Sequence, residues 1–213
     1  MKKIYAILGG NFNPIHNGHI YSVQNIAKEI NIKKIILLPN HHPPHRNITK
    51  TSLQDKINMI KLAINHNNLF TISYLETNYQ KIFYTIDTLK KIRKKIGYYT
   101  SLCFIIGEDN LQYLYHWKEW KKILYFTHLL ILPRQCIKKN NFFFQKWIDL
   151  HITKNIHLLH EKPYGLIFFS QIPFIHISSS QIRKNYYEGR SCYGLLPYYV
   201  DKYIRLKKLY CSI

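Results

Sequence analysis

Acidic residues are scarce in this 213-residue chain: 11 Asp and Glu stand against 31 Lys and Arg, a formal charge of +20. Glycine and proline number only 8 each, and no tract of either marks a linker or a low-complexity segment. Paired cysteines are missing as well. Cys103, Cys136, Cys192 and Cys211 show no CxxC spacing, and no secretory signal precedes them, so they read as reduced thiols of a cytoplasmic protein. No run of 18 clean apolar residues occurs. The long uncharged stretch Pro163–Ile182 is interrupted by prolines, Gln171, His176 and three serines, which speaks against a membrane span. The opening MKKIYAILGGN has no small-residue cleavage site after it and reads as a first strand.

What is present in quantity is apolar, at 46% hydrophobic and 15% aromatic residues. Such a chain is not disordered, and at this length it buries about 70% of its unfolded surface, enough to fold without staples. One domain over residues 1–213 is expected, with a C-terminal helical segment from about residue 179 packed on it. The positive charge suggests a nucleic acid at first, since lysines and arginines that neutralise phosphates dominate such binding. But 25 of the 31 cations are lysine, scattered among 33 Ile and 17 Asn, the residues with the most A- and T-rich codons. Compositional drift on a solvated face accounts for that balance, and neither a nucleic-acid nor a membrane partner is expected. His41-His42-x-x-His45 is the densest histidine group, but Pro43 and Pro44 break it and no Cys or carboxylate joins it, so no protein-held metal is expected.

Strand-like and helix-like runs alternate. Strands are expected at 3–8, 34–38, 70–73, 102–106, 128–132, 156–159, 166–169 and 174–177. Helices are expected at 20–30, 51–65, 85–96, 117–125, 142–151, 179–187 and 197–209. This alternation predicts an α/β, Rossmann-like, doubly wound and mostly parallel sheet with helices on both faces. Ligands of such sheets sit outside the carboxyl ends of the strands.

Two motifs fall at those ends. Gly9-Gly10-Asn11-Phe12-Asn13-Pro14-Ile15-His16-Asn17-Gly18-His19 follows the first strand and opens the first helix. Glycines let backbone approach a ligand, and the helix start offers N–H groups to an anion. Two imidazoles three residues apart there suit charge stabilisation in phosphoryl or nucleotidyl transfer. Near the end, Ile177-Ser178-Ser179-Ser180-Gln181-Ile182-Arg183 places serines and an arginine fork at a strand-to-helix junction.

The first segment resembles the G-G-[ST]-F-D-P-x-H-x-G-H signature of the nucleotidylyltransferase superfamily, and the second its I-S-[ST]-x-x-I-R pattern. Asn11 stands where the signature has Thr or Ser, and Asn13 where it has Asp. Between them, Pro39-Asn40-x-x-Pro43-Pro44-His45-Arg46, Tyr84-Thr85, Phe104-Ile105-Ile106-Gly107-x-Asp109 and His116-Trp117 make the whole chain similar to the nicotinate-nucleotide adenylyltransferases. That resemblance implies transfer of the adenylyl group of ATP to nicotinate mononucleotide, giving nicotinate adenine dinucleotide and pyrophosphate, a step of NAD biosynthesis. It implies His16, His19 and Arg183 as catalytic. Gly9, Gly10, Asn11, Phe12, Gly18, Gly107, Asp109, Ile177, Ser178, Ser179 and Ser180 would join them around ATP. Nicotinate mononucleotide would meet Asn40, His45, Arg46, Thr85, Trp117 and Arg134. The pyridine ring would stack on Trp117, and backbone N–H groups near Thr85 and Trp117 would take its carboxylate. Mg²⁺ would arrive with ATP. A pantetheine-phosphate adenylyltransferase-like enzyme shares both signatures and remains an alternative. So does a basic nucleic-acid-binding module, which would release no pyrophosphate.

Overall fold

A computed structural model describes residues 3–40, 51–65, 67–77, 82–134 and 142–211. Six strands, β1 (Ile4–Gly10), β2 (Lys34–Pro39), β3 (Phe70–Ile72), β4 (Ser101–Gly107), β5 (His128–Leu132) and β6 (Ile167–Phe169), form one sheet in the order β3-β2-β1-β4-β5-β6. Every pairing is parallel; Ile7 of β1, for example, lies between Ile36 and Phe104. The sequence reads this way because the strands are near-continuous apolar runs, as sheets covered on both faces require. β4 and β5 are buried at every position.

The two faces separate by the period of two. Ile4, Ala6, Leu8, Cys103, Ile105, Leu130 and Leu132 pack with α1 (Asn17–Ile30), α2 (Leu53–Ala63), α7 (Ser179–Tyr187) and α8 (Tyr198–Leu206). Ile7, Leu102, Phe104, Ile106, Leu129 and Ile131 pack against α3 (Thr85–Ile96), α4 (Glu108–Leu111) and α5 (Phe142–His151). The fold is therefore the doubly wound α/β sheet expected, and chain order reverses between β1 and its neighbours β2 and β4.

Three expected elements differ. Residues 156–159 begin a helix, α6 (Ile156–Glu161), rather than a strand. Asn155 caps it by accepting the His157 N–H at 2.9 Å, and a four-residue apolar run is too short for periodicity to decide. Phe174–Ile177 joins no ladder among the described residues, and the Ile177 N–H turns back to the Ile175 carbonyl at 2.9 Å. The helix expected at 117–125 is two 3-10 turns, Leu114–His116 and Trp120–Tyr125, because Glu119 takes a left-handed conformation (φ 49°) between them.

The amino ends of β4, β5 and β6 are tied together by Arg93, which is fully buried. Its guanidinium donates to the carbonyls of Gly97 (3.0 Å), Thr100 (2.6 Å), Phe126 and Pro163 (3.1 Å). Beside it, His128 uses both ring nitrogens, accepting from the Leu166 N–H at 3.1 Å and bonding the Lys162 carbonyl at 2.9 Å. Cys103, Cys192 and Cys211 are free thiols, and Cys136 lies outside the described residues. No described helix is long and apolar enough to cross a membrane.

Candidate active site

The loop leaving β1 is built to bring two imidazoles together. His16 is the N-cap of α1, with extended backbone (φ −144°, ψ 169°), so the helix begins at Asn17 rather than at Ile20. The His16 Nδ1 accepts the His19 N–H at 3.3 Å, while the His19 Nδ1 accepts the His16 N–H at 3.2 Å. This reciprocal arrangement is a capping box made from two histidines. It stacks the rings, with centroids 3.6 Å apart and planes 28° from parallel. Gly18 is required by that closeness: a Cβ there would lie 2.9 Å from the His16 Nδ1 and 3.2 Å from the Ile177 Cβ.

The same bonds assign the protons. A ring nitrogen that accepts an N–H carries no hydrogen, so each neutral imidazole holds its proton on Nε2. Burial and the neighbouring Arg134 charge push the His16 pKa down to about 3. Burial, His16 and Arg134 hold His19 well below the ordinary histidine range. At neutral pH both rings are uncharged Nε2–H donors, and those nitrogens have no protein partner among the described residues. Two such donors at the carboxyl end of β1, with a helix N-terminus beneath them, suit developing charge on phosphate oxygens.

The second motif clasps this loop. Ser178 caps α7 by accepting the Gln181 N–H at 3.2 Å, and the Ser179 hydroxyl donates to the Pro14 carbonyl at 2.9 Å. Arg183 donates to the Asn13 carbonyl at 2.7 Å and to the Ser180 hydroxyl at 3.2 Å. The Ser179 hydroxyl and one arm of Arg183 are therefore spent on the loop itself. At the end of β4, Asp109 folds over Gly107, where a Cβ would lie 2.2 Å from its carboxylate oxygen and 3.1 Å from the Arg134 side chain. The Arg134 backbone N–H donates to Glu108 at 3.2 Å, and its guanidinium lies 5.7 Å from the Phe174 ring centre. The structure thus gathers Gly9, Gly10, Asn11, Phe12, His16, Gly18 and His19 with Ile177–Ser180, Arg183 and Arg134 around one strand end.

Other expected residues are farther round the rim or differ in detail. Asn40 follows β2, its N–H donating to the Gly10 carbonyl at 3.1 Å, and its buried Oδ1 has no partner among the described residues. Thr85 opens α3. Trp117 is half-buried and edge-on to Phe104, with ring centres 6.3 Å apart. Its own backbone N–H donates to the Leu114 carbonyl at 2.9 Å, which leaves the neighbouring N–H groups for the carboxylate expected near Thr85 and Trp117. That 3-10 turn was not legible in the sequence. His45 and Arg46 lie outside the described residues, as does the His41-His42 pair.

Sequence reasoning missed the residues that hold the loop. The Tyr210 hydroxyl donates to the Asn13 Oδ1 at 2.6 Å, Lys56 to the Asn11 Oδ1 at 2.6 Å, and Asn17 to the Gly194 carbonyl at 2.9 Å. Tyr210 and Gly194 carry no local signal of contact with residues almost two hundred positions away. Lys56 carries a weak one, a cation in the first turn of a helix, where acids are favoured.

Paired histidines at the switch point of a doubly wound sheet, with arginines converging on them, define an α/β protein built for nucleotidyl transfer. Residues 7–185 match the cytidylyltransferase-like family model. A protein of Buchnera aphidicola subsp. Schizaphis graminum described as "Probable nicotinate-nucleotide adenylyltransferase" is 64% identical over 99% of this chain and 97% of its own length. One from Yersinia enterocolitica with the same description is 38% identical over 98% and 96%. The fold is shared with Plasmodium falciparum nicotinic acid mononucleotide adenylyltransferase, solved with NaAD, at TM-score 0.75 and 20% identity over 98% and 97% of the two chains. The chain belongs to the nicotinate-nucleotide adenylyltransferase family, within the cytidylyltransferase-like proteins.

Proposed function

We propose that this protein transfers the adenylyl group of ATP to nicotinate mononucleotide, forming nicotinate adenine dinucleotide and pyrophosphate in NAD biosynthesis. Family membership supports the reaction, and the His16–His19 capping box is the observation that supports where it takes place. The mononucleotide phosphate attacks the α-phosphorus of ATP in line, and pyrophosphate leaves. No covalent nucleophile is needed, since positioning and electrostatics suffice.

In this reading the Nε2–H groups of His16 and His19 donate to the α- and β-phosphate oxygens as charge builds there. Neutral donors suit the task, because they stabilise the leaving oxygens without a proton being drawn off beforehand. Arg183, by the arm not bound to the Asn13 carbonyl, steadies the departing pyrophosphate together with the backbone N–H groups of Ser179 and Ser180 at the start of α7, which Ser178 caps. Gly9, Gly10, Asn11, Phe12, Gly18, Gly107, Asp109 and Ile177 line the ATP side. Asn40, His45, Arg46, Thr85, Trp117 and Arg134 take the mononucleotide, with Trp117 under the pyridine ring. Among the described residues no three His, Cys, Asp or Glu side chains stand close enough to cage an ion. Mg²⁺ would come with ATP and would supply neutralisation of the phosphate charge. We place the activity in one domain over 1–213, in the cytoplasm, with these two small anions as its partners and no nucleic acid or membrane.

Pyrophosphate release with ATP and nicotinate mononucleotide, run beside nicotinamide mononucleotide and phosphopantetheine, tests the assignment. The expected result is a clear preference for the nicotinate compound. Preference for either of the others, or no release at all, would overturn it.

A further inference from the structure

Lys56 sits in a place that costs the protein three times over. Its side chain is only 3% exposed, and burial alone lowers its pKa. It occupies the first turn of α2, where the positive end of the helix dipole repels a cation. No ion pair involves it among the described residues, which include all 11 Asp and Glu of the chain. The adjacent Asp55 is turned away, accepting from the Ser52 hydroxyl at 2.5 Å and the Tyr203 hydroxyl at 2.7 Å. The partner Lys56 does have is neutral, the Asn11 Oδ1 at 2.6 Å.

A buried charge normally carries a counter-charge or gives up its proton. Arg93, the other deeply buried cation, is answered by four carbonyls. Lys56 is answered by one amide oxygen, and that amide belongs to the Gly9-Gly10-Asn11 bend at the carboxyl end of β1. Local rules broken without compensation inside the chain mark a group whose compensation comes from outside it.

We infer that Lys56 belongs to the nucleotide site, its buried ammonium set behind the loop through Asn11 so that the triphosphate of ATP, and then pyrophosphate, is its counter-ion. The inference rests on the reading of the β1 loop as the ATP site. It also gives the departure at Asn11 a use, since an amide oxygen on a longer side chain than Ser or Thr reaches back to hold the lysine.

Lys56→Met and Lys56→Gln keep an unbranched stem one atom shorter than that of lysine while removing its charge. Both are expected to fold with a Tm equal to or above that of the wild type, because a desolvated charge has gone. The KM for ATP and the inhibition constant for pyrophosphate should each rise at least about fivefold, while the KM for nicotinate mononucleotide moves less than about twofold. A smaller rise for ATP, or an equal rise for both substrates, overturns the inference. Loss of folding in both variants also overturns it, by making Lys56 a structural residue. His19→Ala separates the two readings: if it too leaves turnover intact, the loop is not the ATP site, whereas an idle Lys56 beside an impaired His19 variant rejects Lys56 alone.

Discussion

Among the described residues, the buried polar groups at the amino end of the sheet are answered from within the protein, whereas several at its carboxyl end are only half-answered. Arg93 meets four carbonyls and His128 fills both ring nitrogens, so nothing there awaits a ligand. Across the sheet, and among the described residues, His16 and His19 use Nδ1 on each other and leave Nε2 without a partner, the Asn40 Oδ1 has none, and Lys56 has one neutral acceptor. The residue types are the same, cations and imidazoles, and burial is similar. Satisfaction is what separates a staple from a site: a fully bonded polar network rigidifies the core, while an incomplete one has a deficit that a substrate can fill.

That contrast can be broken at either end. The largest effect is expected from Arg93→Ala, which strips four carbonyls of their donors at once. Denaturant unfolding should show a loss of at least about 3 kcal/mol, with turnover per folded molecule unchanged. At the other end His19→Ala should lower kcat at least about 10²-fold with Tm little altered, the scale for removing one transition-state donor. Near-normal turnover in that variant would return the histidine pair to the structural class and erase the distinction.

Acid sharpens it further. His16 and His128 have folded-state pKa values of about 3 and about 4, both below the ordinary 6.5. The unfolded chain therefore binds protons that the native state refuses, and stability falls as pH drops from about 6.5 towards those values. Urea titrations between pH 7 and 4 should show this decline, and His128→Gln should flatten it. Bound ATP should lessen only the part due to His16 and His19, since phosphate beside those rings favours their protonated forms. The smallest effect is expected from Tyr210→Phe, which leaves the Asn13 Oδ1 without its donor. A loss of about 1 kcal/mol in unfolding and a fall in kcat of no more than about tenfold are expected, with restoration of neither by added nucleotide. An unchanged kcat would show that Asn13 is held well enough by its backbone bond to Arg183.

Much of this was readable in one dimension. The first strand, first helix and two signature motifs are local: glycines at a bend, an imidazole at an N-cap, a serine three residues before the N–H it accepts. Their spacing alone sets His16 and His19 at the end of β1 and Arg183 within α7, although the strand expected just before that helix does not form. The misreadings were equally physical. Residues 156–159 and 174–177 are short apolar runs that local pattern does not decide; the first begins α6, and the second forms neither strand nor helix. The 3-10 turn that engages the Trp117 N–H leaves no periodic trace in three residues.

The deeper omission was Lys56. In the sequence it is one of 25 lysines, and the scarcity of acids made every one of them look like solvated surplus. Sequence by itself determined the alternation of elements, the doubly wound sheet and the family's two motifs, because these depend on spacing over a few residues. Only the tertiary structure decided which cations are surplus, since burial and partnership join residues far apart: Lys56 to Asn11, Tyr210 to Asn13, Arg93 to Pro163. A charge has the same letter on the surface and in the interior, and its cost is set by what surrounds it.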